Sequence, residues 1–279
     1  MSKQNVSPAI PAASLFAVTF CSIAISFSNI ALGDDKPLPE KPTSHTERTI
    51  EGWKVMVDDR LLNGPGAATG ERALKLLAAR LLVIELVVPE PALSKLRTFR
   101  IYMDLSHGKL TAMQYHPSAG WLKLNGYSEE LVKCVHIPVA ERFMSPFECH
   151  RQPWVVLHEL AHAYHDQVLT FEEFRVFKAW ENFRDSGKYE SVLTSPGGMR
   201  KHYALTNQKE FFAEMTEAYL GMNDFYPFVA GELQSAEPEI FSLMESIWGA
   251  LPGRPKVPKK VDEKKVEEKN PDEKKAEEK

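Results

Sequence analysis

Hydrophobic and polar positions change period partway along the chain. Ile50–Asp58 ("IEGWKVMVD") alternates and predicts a strand. Glu71–Val88 ("ERALKLLAARLLVIELVV") carries leucines and alanines at helical spacing, and Pro89 and Pro91 end it. Leu96–Leu105 ("LRTFRIYMDL") alternates again, Thr111–His116 predicts a short strand, and Val132–Val139 ("VKCVHIPV") another. From Pro153 onward the spacing is helical, over residues 153–168, 171–185, 207–221 and 237–250. Strands with one helix come first and helices follow. The fold class this predicts is α+β, with a small N-terminal sheet and helix and a helical C-terminal half. No internal repeat appears in the body.

The two ends carry different patterns. In residues 1–33 a weakly positive start, an apolar run at Leu15–Ser26 and the small residues Ala31 and Gly33 fit a signal peptide. An uncleaved membrane anchor is the alternative, and the only membrane association expected. Residues 34–48 ("DDKPLPEKPTSHTER") read as a polar linker. Residues 253–279 form a low-complexity Lys/Glu tail with no apolar stripe to bury, which predicts disorder. The folded body is therefore expected over residues 49–252. Its composition is that of a globular protein, with 43% hydrophobic and 26% charged residues over the whole chain. A formal net charge of −4 gives no electrostatic footprint for nucleic acid. The expected location is secreted or periplasmic, which is oxidising. Cys134 and Cys149 could then close a loop of about 15 residues, stabilising by roughly 3 kcal/mol in the chain-entropy model. Two free thiols are the alternative.

The candidate chemistry begins at Trp154–Asp166, "WVVLHELAHAYHD". His158 and His162 are four apart, so on a helix their imidazoles share a face and can converge on one ion. Glu159 points about 100° away around the axis, where it can reach a metal-bound water rather than the metal. This is the physical content of H-E-x-x-H, with the glutamate as base. A helix buried by "WVVL", Leu160 and Ala161 would not hold imidazoles and a carboxylate without partners. His165 lies roughly 10 Å along a continuous helix from His158, too far to share one ion easily. It is expected behind a ligand or at the helix C-terminus. A third ligand fits better in Tyr203–Tyr219, "YALTNQKEFFAEMTEAY". There Asn207 can cap a helix on which Glu210, Glu214 and Glu217 line a face. A His₂Glu set leaves a fourth position for water. Taken alone, that segment also reads as an amphipathic helix with a solvated acidic face.

The pair "HELAH" and "YALTNQKEFFAE" resembles the catalytic domain of the anthrax lethal factor-like zinc metallopeptidases, a gluzincin family. It is also similar to secreted bacterial proteins that are largely uncharacterised. The resemblance covers about residues 150–222 and implies a zincin-like metallopeptidase domain binding one zinc ion per chain. It implies His158, His162 and Glu210 as ligands, Glu159 as base and Tyr203 as donor to the oxyanion. Glu214 would sit behind a ligand and fix its orientation. The N-terminal half shows no matching motif, so a peptide or protein substrate is implied in kind but not in sequence.

Three further residues are candidates for the substrate cleft. Tyr115 and His116, within "MQYHPSAGW", can line it or simply pack. His202 can supply a second oxyanion donor or lie at the surface. The aromatic loop "NDFYPF" (Asn223–Phe228) can cap the core or wall the pocket. Two other classes of function remain open on sequence: a non-catalytic zinc-binding protein and a cell-surface binding protein. Oligomeric state is not legible.

Overall fold

The structure, a computed structural model, describes residues 37–253. The expected signal peptide and all of the charged tail beyond Gly253 lie outside the described residues.

The first predicted strand is a hairpin. β1 (His45–Ile50) and β2 (Trp53–Asp58) pair antiparallel around Glu51 and Gly52, whose φ angles are 46° and 87°. Two central residues with positive φ make the tight connection whose twist matches paired strands. Strand β1 begins at His45, so the last residues read as linker belong to the sheet. A long helix, α1 (Ala67–Val87), follows and turns Ala73, Leu77, Leu81 and Ile84 inward at helical spacing. The stretch read as one long strand from Leu96 differs. Ala92–Leu96 is a short helix, α2, and only Ile101–Met103 is strand, β3. Next come β4 (Gln114–Tyr115), α3 (Ala119–Leu124) and β5 (Val135–Ile137). The five strands form one sheet in the order β1-β2-β3-β5-β4. Strands β2, β3 and β5 run parallel, and β4 lies antiparallel at the edge.

Register divides the sheet into two faces. Val55, Ile101 and Val135 are in line, as are Val57, Met103 and Ile137, and all six belong to the main core. Between them Met56, Tyr102 and His136 are in line and point the other way, because successive side chains alternate. Tyr102 packs there with Leu122, Leu131 and Cys134 in a small second cluster.

The helical half follows: α4 (Ala140–Phe143), α5 (Pro146–Arg151), α6 (Val155–Tyr164) and α7 (Phe174–Asp185). A small hairpin, β6 (Val192–Leu193) with β7 (Met199–Arg200), precedes α8 (Gln208–Leu220), α9 (Ala230–Ala236) and α10 (Pro238–Trp248). Helix α6 touches β4 and β5 on one side and packs along α8 on the other. Gly221 ends α8 where a Cβ would come within 2.4 Å of the Trp154 ring, so glycine allows the end of α8 to close onto the start of α6. The fold class is α+β, as the pattern predicts. Cys134, under the sheet, and Cys149, on α5, are both free, the second of the two alternatives the sequence left open. Among the described residues no helix is long and apolar enough to cross a membrane.

Candidate metal centre

Helix α6 buries Val156, Leu157, Leu160, Ala161 and Ala163 and turns His158, Glu159 and His162 toward a cleft of about 450 Å³. Helix α8 starts at Asn207, whose side chain accepts from the amides of Lys209 and Glu210 at 2.9 and 3.0 Å. Glu210 thereby stands in the first turn, where the helix dipole favours a negative charge. Packing of α6 on α8 brings three ligand atoms together. His158 Nε2 to His162 Nε2 is 3.2 Å, His158 Nε2 to Glu210 Oε2 is 3.3 Å, and His162 Nε2 to Glu210 Oε2 is 3.2 Å. Tetrahedral ligands about 2.0–2.2 Å from one zinc ion stand about 3.4 Å apart, so this near-equilateral triangle fits that ion. Burial opposes ionisation of Glu210, but His158 and His162 overcome it and hold the carboxyl below its usual range.

The far nitrogen of His158 faces two more carboxylates. Nδ1 is 3.5 Å from Glu217 Oε2 and 3.8 Å from Glu214 Oε1. Neither contact is a hydrogen bond as it stands, but a carboxylate that closed on Nδ1 would accept its proton and leave Nε2 free to bind a metal. Glu217 is nearer than the sequence-predicted Glu214. Burial pushes both up, Glu217 to about 7 and Glu214 well above its ordinary value, with Asp224 adding to the repulsion. Glu217 lies in ten consecutive buried residues of α8, and a carboxylate in such a run is the sequence signal that could have singled it out.

Glu159 lines the cleft beside the triangle, and its Oε2 accepts the Tyr115 amide at 2.7 Å. Burial pushes this carboxyl up, as suits a base that must hold and release a proton. Edge strand β4 therefore fixes the orientation of Glu159. Tyr115 reaches further, since its hydroxyl donates to Asp166 Oδ2 at 2.6 Å and accepts from Gln167 Nε2 at 3.1 Å. Asp166 and Gln167 lie in the wide turn His165–Leu169 that ends α6. No motif marked them. Tyr203 sits on a single helical turn just before α8 and lines the same cleft while remaining 46% exposed. Burial and the Glu210 charge raise its hydroxyl above the ordinary value.

One expectation is narrowed and two are corrected. His165 is fully buried between Phe171 and Phe212, and neither ring nitrogen has a hydrogen-bond partner among the described residues. It caps the C-terminal end of α6, one of the two places expected for it, as a core residue that burial lowers to about 4. His116 does not line the cleft. It turns away from Tyr115 and contacts His136 at 3.1 Å under the other face of the sheet. His202 is not at the surface, and it is not among the residues that line the cleft. It packs among Phe183, Tyr189 and Phe225, and its Nδ1 accepts the Ala204 amide. The "NDFYPF" loop does wall the cleft, through Asp224 and Phe225.

No protein-family model matches the chain, and no curated protein matches it. A solved structure of the Pro-Pro endopeptidase PPEP-2 from Paenibacillus alvei is similar at 20% identity and a TM-score of 0.41. The likeness covers 72% of this chain and 99% of that one. At that level it assigns neither fold nor activity, so the α+β class rests on the elements themselves.

Proposed function

We propose that the chain is a zinc-dependent peptidase of the gluzincin type, related to the lethal factor-like family and acting outside the cytoplasm. The observation that carries the reading is the 3.2–3.3 Å triangle of His158, His162 and Glu210 with Glu159 beside it. These three residues would hold a zinc ion, which when bound would supply Lewis-acid activation of a water and of the scissile carbonyl. The chain's own groups do the rest. Glu159, oriented by the Tyr115 amide, takes the proton of the attacking water and gives it to the leaving amine. Tyr203 donates its hydroxyl hydrogen to the oxygen on which charge develops. Glu217 and Glu214 hold His158 with Nδ1 protonated and Nε2 directed into the triangle. The partner is a peptide or protein, for which the cleft is large enough to take several residues. A purely structural zinc site would need neither Glu159 nor Tyr203.

Metal content tests the ligand set. His162→Ala and Glu210→Ala should each lose the cleft-bound zinc, while His165→Ala retains it. Unchanged zinc in both ligand variants would refute the assignment.

A further inference from the structure

Four of the nine histidines lie away from the cleft, in one cluster about a single carboxylate. Asp104 follows β3 and is fully buried. Its Oδ2 meets His107 Nδ1 at 2.6 Å and His136 Nε2 at 2.7 Å, and its Oδ1 meets His45 Nε2 at 2.8 Å. All three imidazoles turn a nitrogen to the same carboxylate. They come from separate stretches: the start of β1, the loop after β3, and β5. His136 belongs to the sheet face opposite the main core, so the cluster and the cleft lie on opposite faces.

We propose that Asp104, His107 and His136 form a second metal site, for a divalent transition ion of the zinc class, with His45 at its rim. One ligand atom from each of these three lies within 4.8 Å of the others, and two imidazoles with a carboxylate are a set that zinc accepts, with a fourth position left over, and that calcium or magnesium, which take oxygen, do not favour. Every side-chain partner of Asp104 is an imidazole. A carboxylate that needed only hydrogen bonds could be satisfied by hydroxyls or backbone amides, without gathering imidazoles from three parts of the chain. His136 also has the outer hydrogen bond common to metal-binding imidazoles, since its Nδ1 meets His116 Nε2 at 3.1 Å.

The present separations are hydrogen-bond lengths. Ligands around one ion stand about 3.4 Å apart, so the Asp104 carboxylate withdraws by roughly half an ångström as an ion takes the centre. The proton balance is simple. Each neutral imidazole moves its proton to the nitrogen facing away from Asp104, and any imidazolium releases one to solvent. At His136 that nitrogen then donates to His116. At His107 it is Nε2, which is buried without a partner and so stays unpaired in either tautomer. The His45 side chain retains 14% exposure and gives the cluster its opening to solvent.

The test is zinc stoichiometry of the full chain after loading with excess zinc and removal of the unbound metal. Wild type should hold two equivalents and His162→Ala one. His107→Gln should lose one equivalent, and the His162→Ala/His107→Gln pair should hold none. Cobalt(II) bound to His162→Ala should show the intense visible bands of a tetrahedral site, and His107→Gln in that background should abolish them. One equivalent in wild type and none in His162→Ala would overturn the proposal, leaving a hydrogen-bonded cluster. So would a second equivalent that survives His107→Gln. If His162→Ala still binds two, the cleft ligand set is wrong, and the His107 variant still decides the second site.

Discussion

Tyr115→Phe isolates the tether between the edge strand and the end of the metal-binding helix. The substitution removes one oxygen and keeps a ring that is only 7% exposed, so packing is retained. What is lost is the hydroxyl's 2.6 Å bond to Asp166 and the 3.1 Å bond from Gln167. A hydrogen bond to a charged group contributes about 1.5–3 kcal/mol. Here the loss is cushioned, because Asp166 keeps its ion pair with Lys133 and Gln167 keeps the Lys133 carbonyl. The expected cost is therefore about 1–2 kcal/mol. For a domain of this size that lowers Tm by roughly 2–8 °C. Strand β4 also positions the amide that holds Glu159, so turnover should fall by up to about tenfold while zinc content stays constant. Thermal melts and peptide cleavage by zinc-loaded protein read both effects. An unchanged Tm together with unchanged turnover would refute the tether, and loss of zinc would mean that Tyr115 supports the ligands instead.

Asn207→Ala removes the acceptor for two amides of α8 and should cost about 1 kcal/mol, with zinc affinity falling only modestly, as denaturation and metal titration would show. Tyr203→Phe should lower turnover by roughly 10²–10³ and change substrate binding much less, in steady-state kinetics at full zinc occupancy. Burial lowers His202 to about 3, against about 6.5 in an unfolded chain, so the folded state binds this proton only in strong acid. The stability contributed by its neutral form is complete above about pH 6.5 and lost as pH falls toward 3, at about 1.4 kcal/mol per pH unit. His202→Asn keeps an acceptor for the Ala204 amide and should flatten the acid limb of urea-melt stability in metal-free protein by that slope; parallel limbs would contradict it.

The helices of the site were legible because a 3.6-residue period and a ligand spacing of four describe the same geometry. His158, Glu159, His162, Glu210 and Tyr203 all line the cleft that the sequence pointed to. Neighbouring strands were harder. The alternation at Leu96–Leu105 mixes α2, a turn and β3, because apolar residues facing one core serve either a helix or a strand. The turn in Ile50–Asp58 needed only Glu51 and Gly52, two residues inside a pattern that reads as continuous. The histidines were the least legible. An imidazole in sequence does not say whether it meets a metal, a carboxylate or a phenyl ring. His165 packs on Phe171 and Phe212, His202 packs among Phe183, Tyr189 and Phe225, and His116 joins His136. Such pairings are made by tertiary packing across 20 residues in the case of His116 and His136, and local pattern carries no trace of them.

Glu159→Gln gives the most direct test of zinc-dependent peptide hydrolysis. The substituted side chain would still offer an amide oxygen to the Tyr115 backbone N–H, which donates to Glu159 Oε2 at 2.7 Å. The change also removes a buried charge, so fold and metal should be kept. Only the proton acceptor is lost. Cleavage of a broad peptide library should be measured for wild type and variant, with zinc occupancy determined in each. The account predicts cleavage by wild type and a loss of at least ~10²-fold in the variant at equal zinc. Equal cleavage by both at full zinc would contradict the mechanism, and a zinc-loaded wild type that cleaves nothing across the library would mark the centre as non-catalytic.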